Sequence, residues 1–378
     1  MTGATFAVLA LFAVQQPEPI FPKLFPQPTG QNGLEEYVRA IDLVLTQGLY
    51  PKYIDYEASP ERTLELKVQC ALETNELARL VKQGNEKAIQ FPLGHKTDTL
   101  GSLVLSNLGR VLLRRTEGLF VLGRTNDAFE TLEAMLVFGR RIQDIGGALP
   151  YIRGLFILSY GLQGFHEYRH LMPLPTAERL SALSDDLMMP QLFQSAMVRD
   201  HLDIDRDIKA DLTPDQVASF VEIMLGAERA KGLNEQQVVR EFWQWLGFYR
   251  SEFLSALSKP ENTWSRELDN LFRGGNEALP VGQALAFSME ELAPFFARSE
   301  LRLRAQLRML GVYGEIVKYK WLHGAYPTSI KQLTLKDAAI DPLTGDEFHY
   351  ANQGATFDMY SSGIPEFGEV RVYYQRAR

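Results

Sequence analysis

Near residue 324 the apolar pattern of this chain changes period, and that change narrows the folds open to it. Before it, Leu303, Leu307, Leu310, Ile316, Val317 and Tyr319 form a stripe at helical spacing, with Arg302, Arg304, Arg308, Lys318 and Lys320 as the polar remainder. Gly324-Ala325-Tyr326-Pro327 then stops the helix, because glycine accepts the left-handed conformation of a helix end and proline cannot continue one. Three β-prone pieces follow: Ile340-Asp341-Pro342-Leu343-Thr344-Gly345, Phe348-His349-Tyr350, and Phe357-Asp358-Met359-Tyr360-Ser361-Ser362-Gly363. Helical period giving way to strand alternation at a Gly/Pro break predicts a small α+β unit. Its strands, around His349-Tyr350 and Phe357-Tyr360, should fold back to bury Tyr326, Tyr350, Phe357 and Tyr360 against Val312, Ile316 and Tyr319.

Before that point the pattern is helical almost throughout. Leu34, Val38, Ile41 and Leu45 step round one face until Gly48; Ser59 and Pro60 open the next helix as N-cap and first residue. Further helices are expected from Thr97-Asp98 through Leu113, from Thr125-Asn126-Asp127 through Ile142, and from Tyr151 to Leu171. Pro173 and Pro175 interrupt, and Thr176, Thr213-Pro214-Asp215 and Asn234-Glu235 read as new starts. No sustained β-branched alternation precedes residue 340. The expected fold is mainly α: an irregular antiparallel helical array, bundle or solenoid-like, followed by the small α+β unit. Helix lengths are repeat-like, but no sustained period of identical residues appears.

The N-terminal region divides differently. Ala4 to Val14 is an apolar run too short to span a bilayer and suited to the core of a signal peptide, although no Lys or Arg precedes it. Residues 1–16 are therefore read as a signal peptide and 17–33, rich in Pro, Gln and Gly, as a linker. The all-α domain is placed at 34–300 and the α+β domain at 301–378. Export to the periplasm or cell envelope and no transmembrane span are the corresponding expectations.

A net charge of −8 over 378 residues and a pI near 5.4 argue against a nucleic-acid partner. Arg110, Arg114 and Arg115, and Arg298, Arg302, Arg304 and Arg308, read as solvated helical faces. The single cysteine, Cys70, excludes an internal disulfide and sits among apolar residues as a buried thiol.

One stretch matches a metallopeptidase pattern, His166-Glu167-Tyr168-Arg169-His170. Two His one helical turn apart can hold zinc, with Glu167 as general base. Against this, Arg169 would place a cation beside the metal, Met172-Pro173 replaces the third-ligand segment, and Glu178, Glu222 and Glu228 are options by arithmetic alone. The alternative is an amphipathic helix burying Leu155, Leu158, Leu162, Phe165 and Tyr168. Asp203-Ile204-Asp205-Arg206-Asp207 begins like a calcium loop, but Ile208 and Pro214 occupy the positions of its Gly and Glu. Gly94 and Gly274-Gly275 lack a phosphate-loop spacing. Glu35-Glu36 and Glu290-Glu291 are read as helix-surface pairs. Phe242, Trp243, Trp245, Phe248 and Tyr249 predict a helix buried on two sides or an aromatic groove.

From residue 303 to 363 the order of elements resembles the C-terminal domain of the major pseudopilins of type II secretion systems. There too a long helix ends before a Gly-x-Tyr-Pro turn, an Asp-Pro-x-Gly turn enters the sheet, and an aromatic-Asp-x-Tyr-Ser-x-Gly strand closes it. The whole chain also looks like bacterial envelope proteins that join a helical body to such a tail. The resemblance implies the fold of a compact sheet against a helix. In the family, acidic residues after Tyr-Ser-x-Gly bind calcium; here Ile364-Pro365-Glu366-Phe367-Gly368 offers one carboxylate, and neither calcium nor zinc is expected. The resulting expectation is a non-enzymatic extracytoplasmic scaffold that binds another protein. A zinc peptidase using His166, Glu167 and His170, or an accessory component of a type II secretion or pilus-like system, are the alternatives.

Overall fold

The computed structural model describes residues 19–90, 102–145, 148–189, 193–198, 201, 216–273, 279–290, 293–365 and 368–373. The chain forms two compact units, residues 1–145 with 149–173, and 146–148 with 174–378.

Unit 1 begins with a short helix α1 (Phe21–Leu24), followed by α2 (Gly33–Thr46), α3 (Leu49–Tyr53), α4 (Pro60–Glu73) and α5 (Asn75–Asn85). Three longer helices complete it, α6 (Ser102–Val121), α7 (Thr125–Asp144) and α8 (Ala148–Tyr168). Local chemistry sets several of these boundaries. Ser59 caps α4 by accepting from the Arg62 amide at 3.2 Å, and Gly48 turns the chain between α2 and α3 at φ 59°.

Residues 19–33 are not a loose linker. The Ile20 and Phe21 amides donate to the Asp42 carboxylate at 2.7 and 2.8 Å, and Leu24 and Phe25 are buried. Glu35 accepts from the Thr29 amide and hydroxyl and from the Gly30 amide. Composition alone missed this, because two carboxylates on α2 satisfy the backbone donors that a Pro-rich segment otherwise leaves to water. Burial raises the Glu35 pKa, yet those hydrogen bonds outweigh it and hold the carboxyl below its ordinary range.

Backbones approach closely where glycine permits. A β-carbon on Gly118 of α6 would lie 1.9 Å from the Lys67 carbonyl oxygen of α4. Along α7 and α8, Gly139 faces Leu158, Gly154 faces Gln143, Gly161 faces Leu136 and Gly164 faces Leu132, the order of an antiparallel pair. Cys70 is buried as expected, its Sγ 3.5 Å from the Val111 carbonyl, and burial pushes its thiol up to about 12. The thiol therefore stays protonated at neutral pH. Iodoacetamide at pH 8 should leave Cys70 unmodified in the native protein and alkylate it fully in guanidinium; rapid native labelling would contradict this burial.

Unit 2 contains α9 (Leu174–Leu187), α10 (Val217–Leu225), α11 (Glu235–Leu257), α12 (Trp264–Leu271), α13 (Val281–Glu290) and α14 (Ala293–His323). Asn234 caps α11 by accepting from the Gln237 amide at 3.1 Å. α9 lies antiparallel on α14, with Gly314 against the Ala177 carbonyl and the Ser184 hydroxyl donating to the Leu307 carbonyl at 2.6 Å. α12 is antiparallel to α14 as well, through Arg298 to Asp269 and Arg304 to Glu261. The expected antiparallel order fails at α11 and α13. Gly282 meets Val238 and Glu241, while Glu290 meets Arg250, so the two helices run parallel. The intervening α12 carries the chain back before α13 starts. Val221, Phe242, Leu246, Tyr249, Leu285 and Phe287 share the apolar core between them, with Phe248 left exposed.

Two of the arginines read as solvated are buried: Arg115 is 5% exposed and Arg304 4%. Arg304 is covered because Glu300 and Glu261 pair with it and the Trp264 ring lies 5.2 Å away.

The division expected between residues 300 and 301 falls inside α14, so body and tail share one helix. Gly324 ends that helix at φ 78°, its amide donating to the Lys320 carbonyl at 2.8 Å. The sheet is an antiparallel pair, β1 (His349–Asn352) and β2 (Phe357–Tyr360), with Tyr350 opposite Met359. Phe357 and Met359 are fully buried, whereas Tyr350 and Tyr360 are only half-buried, contrary to the expected four-aromatic core. Strand alternation explains Tyr360, since β2 turns 357 and 359 to one face and 358 and 360 to the other, whereas Tyr350, opposite Met359, shares the inner face beside Phe357. The Phe357 ring meets Tyr313 on α14 at 4.8 Å and Tyr326 at 5.2 Å. Tyr319 remains half-buried beside His323 rather than under the sheet. The Tyr350 hydroxyl donates to the Pro327 carbonyl at 2.7 Å, and Asn352 donates to the Tyr326 and Pro327 carbonyls. Asp341 organises its turn, accepting from the Leu343 amide, Thr344 and Ser361 hydroxyls.

Candidate functional site

The His-Glu-x-x-His stretch does not stay on one helix. α8 ends at Tyr168 and Arg169–Leu171 forms a 3-10 turn, which displaces His170 from the i, i+4 face of His166. His166 is half-buried, while Glu167 and His170 are exposed. Glu167 accepts from the Gln163 side chain at 2.7 Å, and Arg169 donates to the His166 carbonyl. Glu178, Glu222 and Glu228 are exposed. Among the described residues, no group of three or more His, Cys, Asp or Glu side chains is placed to hold a metal ion. The Asp203–Asp207 stretch, the starts at Thr97 and Thr213, Gly94, Gly274, Gly275, Glu291 and Glu366 lie outside the described residues.

Three of the carboxylates read as surface features, Glu35, Glu36 and Glu290, are buried instead. Glu35 and Glu36 are 1% and 4% exposed, and Glu36 takes Lys87 at 2.6 Å and Arg39 at 3.3 Å. Glu290 is 4% exposed, its two oxygens 3.1 Å from His201 Nε2 and 2.7 Å from Arg250 Nε. Those partners are 89 and 40 residues away in sequence, so no local spacing could have announced them. Both carboxylate oxygens are engaged, which makes the group a buried tie between α11, α13 and residue 201 rather than a free acid or base.

Tyr56, Leu72 and Phe156 of unit 1 are exposed, and four further exposed apolar side chains lie on segments that meet near one end of it. Leu64, Val121, Leu122 and Leu171 are 50%, 48%, 39% and 43% exposed. α4 and α6 are antiparallel, with Gly118 against Lys67 and the Arg115 guanidinium on the Ala71 carbonyl at 2.6 Å. Extending that register sets Leu64 beside Val121 and Leu122. The Phe120 ring stacks on Tyr168 at 3.9 Å, which brings the end of α8 and the following Leu171 to the same place. Ion pairs lie within a few residues of these side chains in sequence: Arg62 with Glu65, Lys67 with Glu117, and Arg124 with Asp127. Exposed apolar groups with charged residues nearby are the composition of a protein-docking surface. Helical periodicity could have flagged Val121 and Leu122 only if the inward face of α6 had been assigned first.

Among the described residues, no helix is long and apolar enough to cross a membrane. Comparison with protein-family models, curated proteins and solved structures finds no match to this chain.

Proposed function

We propose that the chain is a non-enzymatic, extracytoplasmic scaffold that binds another protein through the apolar end of unit 1. The observation that carries this reading is the group Leu64, Val121, Leu122 and Leu171, large side chains left in solvent with ion pairs on nearby residues. Covering such side chains removes apolar area from water at about 25 cal/mol per Å². The helices that present them are held at short range by glycine contacts, so little conformational entropy is lost on docking. The apolar run Ala4 to Val14 supports export.

A photo-crosslinking phenylalanine analogue at position 122, in the native cells, should give one discrete heterotypic adduct. The same analogue at exposed Glu130 on α7 should give none. No adduct at 122, or equal adducts at both positions, would sink the proposal.

A second reading, an accessory role in a type II secretion or pilus-like system through a pseudopilin-like tail, is favoured by Trp321 and Leu322. They are 57% and 66% exposed at the end of α14, just before the turn that leads to the hairpin. A crosslinker at 322 that captured a pilin-like subunit would favour it over the first.

A further inference from the structure

We infer that Arg110, Tyr50, Tyr56 and Tyr160 form a surface site that binds the sulfate group of an aryl sulfate ester. The inference does not depend on the apolar end of unit 1. Arg110 is a half-buried residue of α6 that reaches both α3 and α8. Its Nη1 donates to the Tyr50 hydroxyl at 2.6 Å and its Nε to the Tyr160 hydroxyl at 2.9 Å. The Tyr50 and Tyr56 hydroxyls lie 3.3 Å apart. The Tyr160 ring is seated on Gly109 of α6, where a β-carbon would come within 3.0 Å of it.

Other arginines on helix surfaces of unit 1 pair with carboxylates, as Arg62 does with Glu65 and Arg79 with Glu76. Arg110 does not. Among the described residues its hydrogen bonds go to tyrosine hydroxyls alone, so its charge has no counter-ion there. Its third nitrogen, Nη2, makes no hydrogen bond to those residues and is not sealed from solvent, so a ligand can reach it. Tyr56 is 71% exposed, and its contact with Tyr50 lies at the surface.

Tyr50 and Tyr160 accept from the guanidinium through their oxygens, which leaves their own hydrogens to point elsewhere. Of the three hydroxyl hydrogens, one is spent between Tyr50 and Tyr56, and two remain beside Nη2. Nη2 shares a guanidinium edge with Nε, so an oxygen bound there comes within hydrogen-bond distance of the Tyr160 hydroxyl. Three donor groups around a single positive charge match a monoanion with three terminal oxygens, which is a sulfate ester. A carboxylate has one oxygen too few, and a phosphate monoester at pH 8 has one charge too many. The exposed rings of Tyr56 and of Phe156, one turn before Tyr160 on α8, offer faces to an aryl group.

The test is isothermal titration calorimetry of the full chain at pH 8 with phenyl sulfate, phenyl phosphate and inorganic sulfate. Phenyl sulfate should bind saturably, more tightly than either of the others, and should raise the melting temperature. Arg110→Gln should abolish that binding. Because Arg110 also ties α6 to α3 and α8, Tyr160→Phe is the second variant; it removes one hydroxyl and keeps the ring on Gly109. It should weaken phenyl sulfate at least ~fivefold, as the loss of a hydrogen bond to a charged group does, with a melting temperature close to the parent's. Arg62→Gln, at an arginine already paired with Glu65, should leave binding unchanged. A sulfotyrosine peptide binding more tightly than phenyl sulfate would support the site with the ester on a protein; weaker binding would support it with the ester on a small molecule. No saturable binding of phenyl sulfate, equal or tighter binding of phenyl phosphate or inorganic sulfate, or undiminished binding by Tyr160→Phe would overturn the inference.

Discussion

Phe357→Ala should destabilise unit 2 by about 3–5 kcal/mol, the range for removing a buried aromatic ring. The ring is fully buried and meets Tyr313 on α14, Tyr326 after the helix end and Tyr350 on the opposite strand. Those contacts tie the hairpin to the same helix that α9 and α12 grip from the body. Removing the ring should therefore lower the melting transition of unit 2 as a whole, by roughly 2–4 °C per kcal/mol. Tyr350→Ala should cost less, about 1–2 kcal/mol, because its ring is half-exposed and its main loss is the hydroxyl bond to Pro327. Guanidinium denaturation followed by tryptophan fluorescence measures both. A Phe357→Ala loss below Tyr350→Ala, or a tail transition separate from that of α14, would contradict a tail built into the unit.

Gly118→Ala should destabilise unit 1 by about 2–3 kcal/mol although alanine is the better helix former by about 1 kcal/mol. The added carbon would lie 1.9 Å from the Lys67 carbonyl and 2.9 Å from the Ala71 side chain, and backbone cannot move aside as a flexible side chain does. α4 and α6 would have to separate, loosening the Arg115 bond to the Ala71 carbonyl between them. Gly247 on α11 is the control: nothing lies within 4 Å of its missing β-carbon. Gly247→Ala should follow propensity alone and stabilise by about 0.5–1 kcal/mol. Urea denaturation of both variants separates the cases, and a neutral or stabilising Gly118→Ala would mean the helices are not in this contact.

The contrast between these residues shows what the sequence could say. Stops and starts written in backbone chemistry were legible: Ser59 and Asn234 as caps, Gly324 as a helix end, the Asp341-Pro342 turn. The strand pair at 349–352 and 357–360 was legible too, from alternation after a Gly/Pro break. Features set by distant partners were not. Glu290 is buried because His201 and Arg250 meet it, and Arg115 because it reaches the end of α4. A charged residue on a helix reads as solvated unless its partner is known, and the partner is a property of the fold. The same limit hid the parallel course of α11 and α13, since periodicity gives each helix a face but not a direction relative to its neighbour. For the candidate docking surface the sequence supplied the apolar residues, and the register of α4 on α6 gathered them.

The measurement that tests the docking proposal most directly is the mass of the complex recovered from native cells. Affinity-purified protein and a Leu122→Glu, Leu171→Glu variant would be compared by native mass spectrometry, with melting temperatures measured alongside. Both positions are exposed, so the variant should fold with a melting temperature close to that of the parent. The account predicts a heterotypic complex for the parent chain and the bare chain for the variant. A parent that is recovered alone, or a variant that keeps the same partner in the same amount, would contradict it.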